Sequence, residues 1–373
     1  MKILHVSNIV SPHQLPLAHE LRRIVGDGNY IYAAMQLPDK ERKKLGWDSD
    51  DAEPWIISPA KSEQDRIAFE LYWKEFDVVI CGERLFDEMA ERVRSGKLCF
   101  YMSERWWKPP IGRLRIFYPP YYRMVKKFKT LSSNPYFHYL PTGRHASKDI
   151  QFVSDFNERI WGWGYFTSSN IYDNQKSKNG SLNVIWAGRM LKWKLVRDII
   201  RAISVLPNSN INLKLIGEGP ERSSLEKLAG KVLIDGTYSF NNFLPVEKIP
   251  QVMAINDVYV LPSSEYEGWG AVINEAMSVG CVPVVSRGAG AAAMIEDGVD
   301  GLLFDVGDWR RLSEILYTLS VDTDYRSRLS NNAKIKIEEV WSPAVAAERF
   351  VDVAKSLING DEPPVFLDGP MSR

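Results

Sequence analysis

Two glutamates, Glu267 and Glu275, stand eight positions apart in the segment SSEYEGWGAVINEAMSVGCVPVV, residues 263–285. Between Gly268 and Ser286, Glu275 is the one charged residue. Removing a carboxylate from water costs several kcal/mol unless the group is paired or hydrogen-bonded. Glu275 therefore either lies on a hydrated face of the protein or is kept in this apolar segment for a ligand.

The loop between the two glutamates has the features of an anion site. Trp269 is flanked by Gly268 and Gly270, and glycine allows a ligand to approach the backbone closely. The next residues predict a helix over about residues 271–279, and the free N–H groups at a helix start favour phosphate. On that helix the neighbours of Glu275 one turn away are small or apolar. Its carboxylate is therefore suited to accept hydrogen bonds from sugar hydroxyls.

The elements around this motif alternate between strands and helices. In the first half, strands are predicted at KILHVS, YIYAAM, PWIIS, DVVICG and KLCFYMS, with helical stretches between most of them. The alternation restarts with NVIWAG, INLKLIGEG, KVLID, DVYVLPS and VPVVS, and the chain after Asp305 is helical. Such alternation is typical of doubly wound parallel sheets, so we predict an α/β protein with two Rossmann-like domains.

The domain boundaries follow from composition. We predict an N-terminal domain over residues 1–166, a polar linker over 167–181 and a second domain over 182–342. A helix over 343–358 and a mobile tail over 359–373 would follow. Ligands of open α/β sheets bind at the carboxyl ends of the strands, so we expect the site in a cleft between the two domains.

Composition excludes some classes of function. The 373 residues include 47 basic and 47 acidic ones, so the whole chain lacks the excess positive charge of a nucleic-acid-binding protein. Three scattered cysteines, Cys81, Cys99 and Cys281, suit a reducing compartment. MKILHVSNIV reads as a strand and not as a signal peptide, and no apolar run reaches about 18 residues. We therefore expect a cytoplasmic protein.

A family resemblance becomes specific at the glutamate pair. PSSEYEGWGAVINEAMSVGCVPVVS resembles the donor-site motif of family 4 retaining glycosyltransferases of the GT-B fold. Upstream, WAGRMLKWK, LIGEGPE and LPVEKIPQVMAINDVYVLPSS resemble further elements of that family in the same order, and EDGVDGLLF resembles the one that follows. The resemblance covers roughly residues 183–305. The N-terminal half matches less well, mainly through MKILHVS and WGYF.

The resemblance implies roles for individual residues. Glu275 would bind the ribose hydroxyls of a nucleotide, and Glu267 would hold hydroxyls of the transferred sugar. Arg189 and Lys194 would grip the diphosphate, with no metal or cofactor required, and transfer would proceed with retention. The other donor-binding residues would be Gly188, Gly217, Gly219, Gly268, Trp269, Gly270, Ala271 and Val272. The helix over 343–358 would cross back to the first domain, as in the family.

The chain departs from the family pattern in three places. Where many members have a glycine-rich loop after the first strand, this chain has NIVSPHQLPLAHEL, and His13 would face phosphate or acceptor. Where members often carry a histidine after a later strand, this chain has Glu104, which would orient the acceptor. Ala293 occupies the position of a sugar-facing glutamate. His13 and Glu104 are equally compatible with ordinary loop and surface roles.

Two other features of the sequence are candidate binding sites. Asp48 and Asp50 superficially resemble the metal-binding pair of the other glycosyltransferase fold, but they follow a charged helix and not a buried strand, so we expect no metal. Residues 105–148 contain ten basic residues, ten aromatic residues and no acidic one. This stretch would lie on an anionic membrane surface, bind single-stranded nucleic acid, or be part core and part solvated rim. We favour the membrane and expect no nucleic-acid partner.

The sequence thus predicts a glycosyltransferase that moves a hexose-type unit from a nucleoside-diphosphate sugar to a saccharide or lipid-linked saccharide, in surface polysaccharide synthesis. An alternative is a nucleotide-sugar epimerase of the same fold. A second alternative is a protein that binds nucleotide sugars without turnover.

Overall fold

The structure is a computed structural model that describes residues 1–39, 53–168, 180–206 and 210–373. Asp48, Asp50 and most of the expected linker lie outside these ranges. The chain divides into unit 1, Met1–Thr167 with Val340–Arg373, and unit 2, Ser168–Glu339. Across the described residues, no helix is both long and apolar enough to cross a membrane.

Unit 1 contains a six-stranded sheet in the order β3-β2-β1-β4-β5-β6. Its strands are β1 Ile3–Ser7, β2 Tyr30–Ala34, β3 Ile56–Ile57, β4 Val78–Cys81, β5 Leu98–Ser103 and β6 Phe137–Pro141. The helices between them are α1 Leu15–Val25, α2 Glu63–Glu75, α3 Phe86–Arg94, α4 Pro119–Ser132 and α5 Arg144–Gln151.

Unit 2 repeats this plan with a six-stranded sheet in the order β12-β11-β10-β7-β8-β9. Its strands are β7 Leu182–Ala187, β8 Ile211–Ile216, β9 Tyr238–Asn241, β10 Val258–Leu261, β11 Val282–Ser286 and β12 Leu302–Phe304. Its helices are α6 Val196–Ser204, α7 Arg222–Val232, α8 Ile249–Ala254, α9 Val272–Ser278, α10 Trp309–Val321 and α11 Thr323–Glu339, and α12 Pro343–Asn359 follows in unit 1.

The two sheets confirm the predicted fold class. Every strand pair in both sheets is parallel. The central strands β1, β4, β10 and β11 are buried along their whole length, because helices cover both faces of a doubly wound sheet. All strands of one sheet therefore end at the same edge, which brings the loops after them together.

One predicted strand is wrong. KVLID, residues 231–235, was expected to be a strand, but α7 continues to Val232 and a turn follows at Gly236, whose φ is +85°. The strand lies further on, at β9. Short apolar runs fit a buried helix end as well as a strand, so periodicity alone could not separate them. The structure also adds β6, which the sequence pattern had not indicated.

The C-terminal helix returns to unit 1 as the resemblance implied. On α12, Phe350 is fully buried, with its ring 4.9 Å from that of Phe100 on β5 and 5.9 Å from that of Trp163. The helix begins at Ser342, whose side chain accepts a hydrogen bond from the Val345 amide. This cap and the apolar face fix the helix on the unit that contains the chain's first residues.

The predicted mobile tail is packed at its end. The Met371 side chain is fully buried, and its amide donates to the Gly162 carbonyl at 2.8 Å. The Gly162 amide in turn donates to the Ser372 carbonyl at 2.7 Å. Pro370 is buried as well, and Arg349 donates to the carbonyls of Asp368 and Pro370 at 2.6 and 3.2 Å. The sequence pattern gave no sign of these contacts, because they depend on residues far away in the chain. Leu367, four residues earlier, is fully exposed.

We expect Met371→Ala to lower the free energy of unfolding by about 2–4 kcal/mol, because it removes buried apolar atoms and leaves a cavity. Leu367→Ala is the matched control and should change it by less than about 0.5 kcal/mol. Urea denaturation followed by circular dichroism measures both. Equal, small effects of the two substitutions would show that the tail is not anchored.

Candidate functional site

The predicted donor residues of unit 2 lie on loops at the carboxyl edge of its sheet. Gly188 follows β7, Gly217 and Gly219 follow β8, and the segment with Glu267 follows β10. In a parallel sheet this is the edge at which ligands bind. The fold therefore gathers residues that are up to about ninety positions apart in the sequence.

Glycines allow the loops after β7 and β8 to touch. A Cβ atom on Gly217 would lie 1.9 Å from the Gly188 carbonyl oxygen, and one on Gly219 would lie 2.5 Å from the Met190 oxygen. No side chain tolerates such contact with rigid backbone. These glycines therefore set the shape of the edge. Whether their amides also contact a donor stays a prediction.

A similar contact, which the sequence did not predict, holds the Gly268–Gly270 loop. A Cβ atom on Gly290 would lie 1.9 Å from the Gly268 oxygen, and the Ala291 amide donates to the Trp269 carbonyl at 2.8 Å. The Trp269 side chain is buried and donates from Nε1 to Asn274 at 2.8 Å. Trp269 thus fixes the loop from within. The glycines of SRGAGAAAM were the available signal.

Lys194 and Glu267 form a direct ion pair between two loops. Their side chains are 17% and 10% exposed, so water screens the pair weakly. The Lys194 ammonium also lies 4.7 Å from the centre of the Trp193 ring, which stacks on Tyr266 at 6.3 Å. The pair thus joins two residues that the sequence had assigned to the same site.

Backbone hydrogen bonds hold together the two loops that carry Lys194 and Glu267. The Ser264 amide donates to the Trp193 carbonyl at 2.9 Å, and the Glu267 amide donates to the Ser264 carbonyl at 3.0 Å. Arg189 lies on the same loop as Lys194 and is exposed. A cation supported by an aromatic ring and a carboxylate with further acceptor capacity therefore lie side by side at this edge.

Glu275 does not lie on a hydrated face. It is buried on α9, with 7% of its surface exposed, and burial raises the pKa of its carboxyl to about 8. Val272 and Ala271, the start of the helix and its N-cap, are half-buried. Burial is also the main reason that the pKa of Tyr259 is raised, and the charges of Glu267 and Glu275 add to it. Both glutamates therefore act on one buried phenol.

Two serines next to the ion pair hold further polar atoms. The hydroxyls of Ser263 and Ser264 are buried and have no hydrogen-bond partner among the residues that the structure describes. A buried hydroxyl without a partner costs stability, so such atoms often mark a place for a ligand. Nothing in the sequence pattern marks these serines, although they are the first two residues of the segment 263–285.

The two predicted acceptor-side residues lie in unit 1. A cavity of about 370 Å³ opens at the carboxyl ends of β1, β4, β5 and β6, and Glu104 and Tyr165 line it. Glu104 accepts hydrogen bonds from Lys108 at 3.1 Å and from the Tyr165 hydroxyl at 3.3 Å. The His13 ring lies 6.4 Å from the Tyr165 ring, and burial lowers the pKa of His13 to about 4. His13 is therefore neutral near pH 7.

No three histidine, cysteine, aspartate or glutamate side chains within the described ranges are grouped in a way that could hold a metal ion.

Residues 169–336 match the family model described as glycosyl transferases group 1. The glycosyltransferase MJ1069 of Methanocaldococcus jannaschii, described as uncharacterized, is 28% identical over 188 residues, 50% of this chain and 47% of that protein. LpsE of Rhizobium meliloti, a lipopolysaccharide core biosynthesis glycosyltransferase, is 31% identical over 173 residues, 46% of this chain and 49% of LpsE. The chain spans about half the length of the curated relatives it matches.

Among solved structures, HepE of Anabaena in complex with UDP superposes with a TM-score of 0.69 at 17% identity. The superposition covers 95% of this chain and 100% of HepE. This likeness confirms the GT-B fold. Residues 169–336, which resemble the glycosyl transferases group 1 model, lie within unit 2, and this range includes Arg189, Lys194, Glu267 and Glu275.

The buried Glu275 predicts a pH-dependent stability. In the folded protein the Glu275 carboxyl keeps its proton up to about pH 8, whereas the usual pKa of a glutamate is 4.5. The free energy of unfolding therefore falls as the pH rises from about 4.5 to about 8. Glu275→Gln lacks this ionisation. We expect the variant to be more stable than wild type at pH 8, by on the order of 2–4 kcal/mol, with a smaller difference at pH 5.

Urea denaturation at several pH values measures this difference, with Glu338→Gln, an exposed carboxylate on α11, as the control. The control difference should not vary with pH. A Glu275→Gln difference that is equally flat would show that the Glu275 pKa is ordinary.

Proposed function

We propose that this protein is a glycosyltransferase that moves a sugar from a nucleoside-diphosphate sugar to a saccharide or lipid-linked saccharide, with retention. The observation that carries the proposal is the Lys194–Glu267 ion pair at the carboxyl edge of a glycosyl transferases group 1 domain. In this pair a cation suited to a diphosphate lies beside a carboxylate suited to sugar hydroxyls.

The donor would be bound at both of its ends. Glu275 would accept hydrogen bonds from the ribose hydroxyls, which favour its charged form and offset part of the cost of burial. Lys194 and Arg189 would contact the diphosphate, and Glu267 would hold hydroxyls of the sugar. Amides of the Gly268–Gly270 loop would add to the grip on the anion.

The chemistry requires stabilisation of the leaving group. The bond between the anomeric carbon and the diphosphate oxygen breaks, and the acceptor hydroxyl forms a new bond on the same face of the sugar. The acceptor's proton passes to the departing diphosphate oxygen. Negative charge grows on that oxygen, so cations already held in place lower the barrier. Lys194 is such a cation, because Trp193 and Glu267 restrict its side chain.

We place the acceptor at the cavity of unit 1, where Glu104 is oriented by Lys108 and Tyr165. A surface polysaccharide or its lipid-linked precursor is the acceptor class we propose, and the similarity to LpsE supports it. Cytoplasmic action, where thiols stay reduced, fits three buried free cysteines.

A two-stage assay tests this function. Thermal unfolding with a panel of UDP- and GDP-sugars identifies the donor, since a ligand at 100 times its Kd adds about 2.7 kcal/mol. The donor is then incubated with and without saccharide acceptors and followed by NMR of the anomeric proton. We expect a retained linkage and free nucleoside diphosphate only with acceptor. An epimer formed without acceptor, or binding without nucleotide release, would overturn the proposal in favour of an epimerase or a binding protein.

Lys194→Ala should lower kcat by about two to four orders of magnitude, because it removes a charge that stabilises the leaving group. Lys192→Ala is the matched control, since Lys192 is exposed and lies with Lys194 on a 3₁₀-helix over Lys192–Lys194, within the loop after β7. Steady-state kinetics with the identified donor gives both values.

Loss of Lys194 also leaves the Glu267 carboxylate unpaired, so thermal unfolding must show that the variant is folded. The double variant Lys194→Ala, Glu267→Gln removes the unpaired charge. A folded Lys194→Ala variant with the kcat of Lys192→Ala would contradict the assigned role.

A further inference from the structure

An exposed apolar ridge lies in unit 1 before α4. Residues Gly112–Phe117 form a 3₁₀-helix with no buried residue. Ile111, Leu114 and Phe117 are 54%, 66% and 80% exposed. A 3₁₀-helix has three residues per turn, so side chains three apart line one edge. These three residues, the 111–117 ridge, therefore present a continuous apolar edge to solvent, which needs an explanation.

Two amphipathic rings continue the ridge onto α4. Tyr118 and Tyr122 are 61% and 57% exposed. Tyrosine combines an apolar ring with a polar hydroxyl and is enriched where one end of a side chain is dry and the other is wet. The apolar edge is thus continued by two tyrosines that are suited to a boundary between an apolar medium and water.

Cations border the same surface. Arg123 and Lys126 on α4 are exposed, and neither forms an ion pair with any residue in the described ranges. Arg113 is exposed and lies over the Phe152 ring at 4.2 Å. Two acidic groups of neighbouring segments are paired, Asp87 with Lys127 at 2.6 Å and Glu104 with Lys108 at 3.1 Å. The surface is therefore positively charged around an apolar centre.

Side-chain contacts hold the residues beneath the ridge in place. Tyr121 accepts a hydrogen bond from Arg115 at 3.1 Å and its ring lies 6.2 Å from that of Trp107. Trp107 is buried and donates from its amide to Asp149 at 2.9 Å. Four other aromatic residues of the stretch 105–148 are buried in the core: Trp106, Phe128, Phe137 and Tyr139. This agrees with the interpretation of the stretch as part core and part solvated rim. The surface that remains is the ridge and its border.

We propose that the 111–117 ridge docks on an anionic lipid bilayer, with the ridge among the acyl chains and the arginine and lysine side chains on the headgroups. An apolar edge inserted at the interface and a border of cations provide the two signals that stable peripheral binding requires. Lys108, which lines the cavity of unit 1, lies three residues before the ridge, so a docked ridge would keep this part of the cavity wall near the bilayer.

Two other partners fit this surface less well. Nucleic acid binds by stacking bases on aromatic faces. Phe117, Tyr118 and Tyr122 offer such faces, but Ile111 and Leu114, which make up the rest of the ridge, do not. A second copy of the chain in a symmetric dimer would bring the same cations face to face, which is repulsive. A bilayer offers both an apolar interior and a negative surface.

Vesicle flotation of the full chain tests the proposal. It needs no turnover, so its failure is independent of failure of the glycosyltransferase assignment. We expect the protein to float with vesicles of phosphatidylcholine containing about 30 mol% phosphatidylglycerol, and much less with phosphatidylcholine alone. Raising salt from about 0.1 to about 0.5 M should weaken, but not abolish, the binding.

Matched variants separate the apolar and charged parts. Leu114→Ser with Phe117→Ser should weaken partition at least about ten-fold, whereas Ile234→Ser, at a position 69% exposed in unit 2, should not change it. Arg123→Glu with Lys126→Glu should also weaken it about ten-fold or more. Lys227→Glu with Lys231→Glu, on exposed positions of α7, is the charge control.

Circular dichroism and donor-induced thermal shifts check that each variant is folded. The absence of flotation with anionic vesicles would overturn the proposal, as would flotation unaffected by both ridge variants. A ridge-dependent dimer in ultracentrifugation without vesicle binding would assign the ridge to a second copy. Ridge-dependent binding of single-stranded RNA without vesicle binding would assign it to nucleic acid. Either result would also overturn the proposal.

Discussion

The ion pair between Lys194 and Glu267 is the interaction on which the loops at the carboxyl edge of the unit 2 sheet depend. It joins a loop after β7 to a loop after β10, and the hydrogen bond from the Ser264 amide to the Trp193 carbonyl holds the same two loops. A weakly screened pair of this kind contributes little net stability, since desolvation offsets much of the attraction. Its value lies in geometry, because it holds a cation and a carboxylate at a fixed separation.

The two glutamates of the motif differ because their surroundings differ. Glu267 faces a lysine, whereas the main influence on Glu275 is burial, which raises its pKa to about 8. The same eight-residue spacing thus places one carboxylate at a cation and another in an apolar helix. Such a difference is common where a protein retains a costly group for a ligand. Burial of Glu275 lowers the stability of the protein, and we propose that the same burial keeps its carboxylate available for the nucleotide.

Much of the fold followed from the sequence, since long alternating segments and buried apolar strands leave few topologies. The motif residues could also be named from the sequence, because their spacing is local or their order resembles that of a family, and their roles stay a prediction. Contacts between loops were not found: Gly290 against Gly268, Trp193 against Tyr266, and the unpartnered hydroxyls of Ser263 and Ser264 depend on three-dimensional proximity. The predictions of a strand at KVLID and of a mobile tail over 359–373 were wrong, because the structure of short segments depends on tertiary contacts more than on their own sequence pattern.

The central claim is that the carboxyl edge of unit 2 binds a pyrophosphate through its cations. A crystal structure of the protein with UDP or GDP tests it most directly. We predict diphosphate oxygens within about 3 Å of Lys194 and Arg189, and ribose hydroxyls at the Glu275 carboxylate. A nucleotide bound elsewhere, with Lys194 still paired only to Glu267 and Trp193, would contradict the account.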